Sequence, residues 1–90
     1  MIVEKQIVVT NKLGLHARAA AKLVKMSAGY KSTIMLHNGN KNVDAKSIMG
    51  VLMLAAAQGV ELKLVTDGED AEQAANDIEI LFNDFFGEGE

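Results

Sequence analysis

The sequence predicts an α/β (α+β) open-faced sandwich, in which four antiparallel strands form a sheet and three helices cover one of its sides. Three observations lead there. Ninety residues, 49% hydrophobic and 23% charged, make a single globular domain over 1–90 with no room for a second core. Strand-like and helix-like periodicities follow one another in the order β-α-β-β-α-β-α. The connections between them are short, and one is Asn38-Gly39, a strong two-residue hairpin signal. Short connections favour antiparallel neighbours, with the helices layered on one face.

Each element has its own local signature. Residues 2–10 (IVEKQIVVT) are rich in β-branched side chains and read as the first strand, although Lys5 interrupts the alternation. Asn11 to Leu15 is a loop containing Gly14. Residues 17–28 follow a helical period, with Ala17, Ala20, Ala21, Val24 and Ala28 on one face and Arg18, Lys22 and Lys25 turned outward. Gly29 is a natural stop. Ser32 to His37 is the second strand, and Asn40 to Asp44, short and polar, the third, at an edge. Ser47 to about Leu54 is a short helix with Ser47 as N-cap. Gln58-Gly59 turns the chain into the fourth strand, where Val60, Leu62 and Leu64 alternate with Glu61 and Lys63. In the last helix Ala71, Ala74, Ala75, Ile78, Leu81, Phe82 and Phe85 form one stripe, and Asp70-x-x-Gln73 has the form of a capping box. Residues 87–90 (GEGE) read as a frayed, flexible tail.

Composition excludes several kinds of function. A net charge of −3 provides no basic stripe for nucleic acid, although Arg18, Lys22 and Lys25 form a local basic patch. The absence of cysteine removes thiol chemistry, disulfides and thiolate metal sites, as expected of a cytoplasmic protein. No signal-peptide pattern opens the chain, and the longest apolar run, Ile48 to Ala57, is too short to insert into a membrane.

The segment LGLHARAAAKLV carries the chemistry. His16 stands where the first helix begins, in place of the Ser, Thr, Asp or Asn that usually caps a helix. A histidine supplies no short acceptor, so the backbone N–H groups of Ala17, Arg18, Ala19 and Ala20 are expected to stay open. With the helix dipole they form an anion site. Arg18 adds a guanidinium fork suited to phosphate oxygens. The same positive field disfavours an imidazolium, so His16 is expected to be neutral near pH 7, with a nucleophilic ring nitrogen. A nucleophile beside a phosphate cradle fits transfer through phosphohistidine. Position alone also allows His16 to be a plain loop residue. His37, on a strand beside a turn, reads as a surface residue, and no ligand set for a metal stands near His16.

Gly14-Leu15-His16-Ala17-Arg18, followed by Ala-Ala-Lys-Leu-Val, resembles the active-site signature of HPr, the histidine-containing phosphocarrier family of the phosphoenolpyruvate-dependent sugar phosphotransferase system. The resemblance covers nearly the whole chain. It implies that Nδ1 of His16 is phosphorylated by phospho-enzyme I and that the group passes to enzyme IIA proteins, with Arg18 binding the phosphate. It implies no cofactor, the phosphoryl group deriving from phosphoenolpyruvate, and a monomeric, stoichiometric carrier in place of a turnover enzyme. The family commonly has Pro directly after the arginine, where this chain has Ala19.

Lys46-Ser47-Ile48-Met49-Gly50-Val51 resembles the regulatory segment of HPr proteins that are modified by the HPr kinase/phosphorylase, which implies regulatory phosphorylation of Ser47. Read without the family, Ser47 is simply an N-cap. The helix it opens is apolar all round, so a two-layer domain must leave part of it exposed. The family docks its partners through this surface, which points to Ile48, Met49, Val51 and Met53. Two other readings remain open from sequence. One is a regulatory relative that signals nitrogen or carbon status without sugar transport, and the other is a phosphate-independent binding module.

Overall fold

A computed structural model describes all ninety residues. The elements are β1 (Ile2–Val8), α1 (Ala17–Ala28), β2 (Thr33–Asn38), β3 (Lys41–Asp44), α2 (Ile48–Met53), β4 (Glu61–Asp67) and α3 (Ala71–Asn83), followed by a 3-10 turn at Phe85–Gly87. The predicted order and the antiparallel sheet are both found. The strands lie in the order β1-β4-β2-β3, with Ile2 opposite Asp67, Thr33 opposite Asp67 and Asn38 opposite Lys41. No helix is long and apolar enough to cross a membrane.

Successive residues of a strand point to opposite faces, and this sorts the sheet. Ile7, Ile34, Leu36, Leu62 and Leu64 are buried beneath the helices, while Glu4, Gln6, Glu61 and Lys63 are exposed. Lys5, which interrupts the alternation of β1, shares the inward side with Val3 and Ile7. Its ammonium reaches Glu79 of α3 at 3.0 Å, so the stem lies along the core edge and the charge is paired. The first strand ends at Val8, two residues earlier than expected, yet Val9 still pairs with the chain at Gly59 and Val60.

Three expectations are corrected. The buried face of α1 is Ala19, Ala20, Leu23 and Ser27, whereas Ala17, Ala21 and Ala28 are exposed. A helix rich in alanine has little apolar contrast around its circumference, so the single Leu decides. Burying Leu23 is worth about 1.5–3 kcal/mol, more than any one alanine contributes. Phe85 is also displaced from its expected place in the core. The helix stops at Asn83, and Phe85 and Phe86 take left-handed backbone angles (φ 53° and 54°). That turn leaves Phe85 38% exposed and buries Phe86 fully against Phe82, ring centroids 4.7 Å apart.

The third correction concerns Asp70, which makes no capping hydrogen bond to α3. Its carboxylate turns away to accept the Lys31 and Ser32 amides, both at 2.9 Å, and the Ser32 hydroxyl at 2.5 Å. Three donors outcompete one helix amide. The Ser32 hydroxyl first, then the Lys31 amide, lower the Asp70 carboxyl to about 2 from its ordinary value, against a smaller opposing effect of burial. A depressed folded-state value means that the contribution is complete above the unfolded carboxyl's range and is lost as pH falls through about 2. Melting temperatures of the parent and of Asp70→Asn should therefore differ near neutral pH and converge as pH approaches about 2. A constant gap down to that pH would show that the carboxylate's charge is not what holds Ser32.

Candidate functional site

The loop before α1 is shaped by Gly14. Its φ is +70°, and a Cβ there would stand 2.5 Å from the carbonyl oxygen of Ala56 and 3.0 Å from Cα of Ala57. The same Ala56 oxygen accepts the Leu15 amide at 2.9 Å, and Asn11 Nδ2 donates to the Gly14 carbonyl at 2.8 Å. The backbone therefore passes hard against the loop after α2, and that approach sets where His16 leaves the turn. Gly14→Ala should cost about 1–3 kcal/mol through strain and displacement. Calorimetry should read this as a melting point lower by about 5–20 °C. An unchanged melting point would mean that the 55–57 loop yields freely.

His16 is the N-cap of α1, with extended backbone angles (φ −77°, ψ −179°). The expectation that it offers the helix no acceptor is corrected in part. Its Nδ1 accepts the Arg18 amide at 3.4 Å, a long and weak contact. The Ala20 amide, expected to be open as well, donates to the His16 carbonyl at 2.8 Å as the first bond of the helix. The amides of Ala17 and Ala19 find no acceptor in the chain, so the first turn keeps open donors next to Nδ1. The Ala19 side chain is buried, while the Arg18 side chain is exposed and unpaired at the mouth of a cleft of about 290 Å³ that His16 also lines. His37 stays on β2 and faces Asn42 across the hairpin, apart from this cleft.

The far wall of the cleft was not legible in the sequence. Residues 87–90, read as a free tail, are placed back over the helix start. Lys22 Nζ donates to the Phe86 carbonyl at 2.6 Å, and the Lys12 amide donates to the Glu90 carbonyl at 3.1 Å. Between these attachments the Glu88 side chain, only 11% exposed, sets one oxygen 2.5 Å from Nε2 of His16 and the other 2.8 Å from Nδ2 of the buried Asn11. Burial pushes the Glu88 carboxyl up. The hydrogen bonds from Asn11 and His16, with the nearby Lys22 ammonium, outweigh this and hold it below the ordinary carboxylate range. The physical reason for the fold-back is Phe86, whose burial beside Phe82 draws the following residues onto α1. No group of three or more His, Asp or Glu side chains converges in the structure. The cleft offers amides and cations suited to an anion.

Ser47 caps α2, its hydroxyl oxygen accepting the Gly50 amide at 3.1 Å. It does not line the His16 cleft. On α2 itself, Ile48, Met49 and Met53 are 39%, 65% and 68% exposed. Val51, expected among the surface residues, is fully buried in the core, because one side of even this short apolar helix must face α1 and the sheet.

The chain is similar to known proteins over nearly its whole length. Residues 3–84 match the family described as the PTS HPr component phosphorylation site. The phosphocarrier protein HPr of Xylella fastidiosa is 46% identical over 87 residues, covering 97% of this chain and 98% of that protein. HPr of Pseudomonas aeruginosa is 48% identical over 86 residues, covering 94% of this chain and 96% of that protein. The crystal structure of an HPr from Thermoanaerobacter tengcongensis superposes with a TM-score of 0.92 at 42% identity, over 96% of this chain and 97% of that one.

Proposed function

The chain belongs to the HPr family, the phosphoryl carriers of the phosphotransferase system, and from that membership we propose that its phosphoryl group rides on Nδ1 of His16. The carrying observation is the division of labour on the imidazole. Nδ1 faces the open first turn of α1, and Nε2 is engaged by Glu88 on the other side. A phosphoryl group on Nδ1 would lie beside the Ala17 and Ala19 amides and the positive end of the helix dipole, within the field of Arg18. These groups meet charge that arrives with the phosphate, so they need not be strong contacts in the free chain.

In this reading phospho-enzyme I is the donor and enzyme IIA proteins are the acceptors. The chain works as a monomeric, stoichiometric carrier with no cofactor of its own, the phosphoryl group originating in phosphoenolpyruvate. Ile48, Met49 and Met53 form the contact surface for both partners, being apolar, exposed and conformationally adaptable. Incubation with enzyme I and labelled phosphoenolpyruvate tests the reading. One phosphate per chain, labile in acid and stable in alkali, is expected, and no uptake would defeat it.

Ser47 is proposed as the target of the HPr kinase/phosphorylase. A phosphate there adds about −1.5 to −2 charges at a helix start, where it is electrostatically tolerated, and beside Ile48 and Met49, where partners would meet it. Ser47→Asp should hold its stability within about 0.5 kcal/mol, since Asp caps as well as Ser. It should accept phosphate from enzyme I severalfold more slowly. Equal acceptor kinetics would leave Ser47 as a cap alone.

A further inference from the structure

We propose that Glu88 is a positioning residue for His16, selecting the ring tautomer that leaves Nδ1 free to attack. This rests on the reading of His16 as the phosphoryl acceptor and adds to it a residue 72 positions away. The two contacts of the imidazole agree on one proton arrangement. Nδ1 accepts the Arg18 N–H, so it carries no proton, and Nε2 then carries the hydrogen and donates it to the Glu88 carboxylate at 2.5 Å. A free imidazole divides its proton between both nitrogens. A carboxylate fixed on Nε2 removes the unreactive arrangement and fixes the ring plane toward the helix start.

Glu88 is itself held well enough to do this. Its second oxygen accepts from buried Asn11 at 2.8 Å, its amide donates to the Phe85 carbonyl at 2.9 Å, and Lys22 fixes the preceding Phe86 carbonyl. Burial to 11% exposure keeps water from replacing the contact. In the transfer step the Nδ1 lone pair forms the N–P bond while phosphorus separates from the donor's leaving atom, which keeps the bonding electron pair. The Nε2 proton stays on the ring, which becomes positive, and the Glu88 carboxylate lies against that charge. In the onward step the same proton makes the ring the better leaving group, since its electron pair returns to an imidazole already neutral. Asn11 and Glu88 together thus serve His16 as a carboxylate serves the histidine of a hydrolytic triad, by orientation and charge.

The test combines nitrogen NMR of the imidazole in the unphosphorylated chain with phosphoryl transfer from enzyme I. The parent should show the Nε2–H form, with Nδ1 unprotonated. In Glu88→Ala both tautomers should appear. Its single-turnover rate of acceptance should fall about tenfold, the low end of the cost of removing an orienting partner from a histidine, with the KM for enzyme I unchanged. Glu88→Gln keeps an acceptor oxygen in place and should recover most of the Nε2–H form. A parent ring protonated on Nδ1 would overturn the proposal, and so would a Glu88→Ala chain with the parent's tautomer and rate. A parent that takes up no phosphate would instead defeat the reading of His16, and the NMR result would still stand or fall without it.

Discussion

His16→Ala takes up no acid-labile phosphate from phospho-enzyme I, while its fold survives. Removing the imidazole removes the nitrogen nucleophile, and no second histidine lines the cleft. A phosphate taken up by Glu88 or Glu90 instead would be an acyl phosphate, which alkali cleaves, so the lability test tells it from a phosphohistidine. The anion site itself would remain, because its donors are backbone amides of α1. The variant chain should therefore still weaken transfer between enzyme I and the parent chain when added in excess, through the α2 surface that it keeps intact. The structural cost is moderate. The ring gives up one long hydrogen bond to the helix start, at 3.4 Å, and the 2.5 Å contact that pairs the mostly buried Glu88 carboxylate. Losing a buried group's partner costs about 1–3 kcal/mol, which a domain with about 5–15 kcal/mol of stability survives. The decisive measurement is label on the parent and the variant after enzyme I treatment, sorted by acid and alkali lability. Acid-labile label persisting at parental level on His16→Ala would remove His16 from the chemistry.

The second large effect is on stability and separates two adjacent phenylalanines. Phe86→Ala should cost about 3–5 kcal/mol, as truncation of a fully buried aromatic does. Phe85→Ala should cost about 1 kcal/mol or less, since Phe85 is already 38% exposed. A domain of this size has only about 5–15 kcal/mol in all, so the first substitution removes a large fraction of it. Phe86 is packed on Phe82 at 4.7 Å, and its carbonyl is tied to Lys22. Its truncation should also release Glu88 from His16 and broaden the imidazole NMR signals before global unfolding. Urea melts of the two variants give the comparison. Equal losses, or a larger loss at Phe85, would mean that the turn at Phe85–Gly87 packs the other ring.

These predictions draw unequally on sequence and structure. The position of His16 at a helix start, the Asn38-Gly39 hairpin, the stripe of Ala71, Ala74, Ala75, Ile78 and Phe82, and the Ser47 cap were all legible in the residues alone. Each depends on side chains within a turn or two of one another, and such local patterns act before the chain has chosen its path. The tertiary structure decided the rest. Leu23 chose the face of an alanine-rich helix only because a sheet was there to receive it. Asp70 left its helix because Lys31 and Ser32 brought it three donors from the approach to β2. Val51 became core because α2 has one inward side, leaving Ile48, Met49 and Met53 outside. Glu88 met His16 across 72 residues because Phe86 needed burial and the chain turned left-handed to achieve it. Spacing along the chain holds no record of such a meeting. The energy that makes it comes from apolar burial, which is non-directional, and only the folded path determines which polar group is carried along with it.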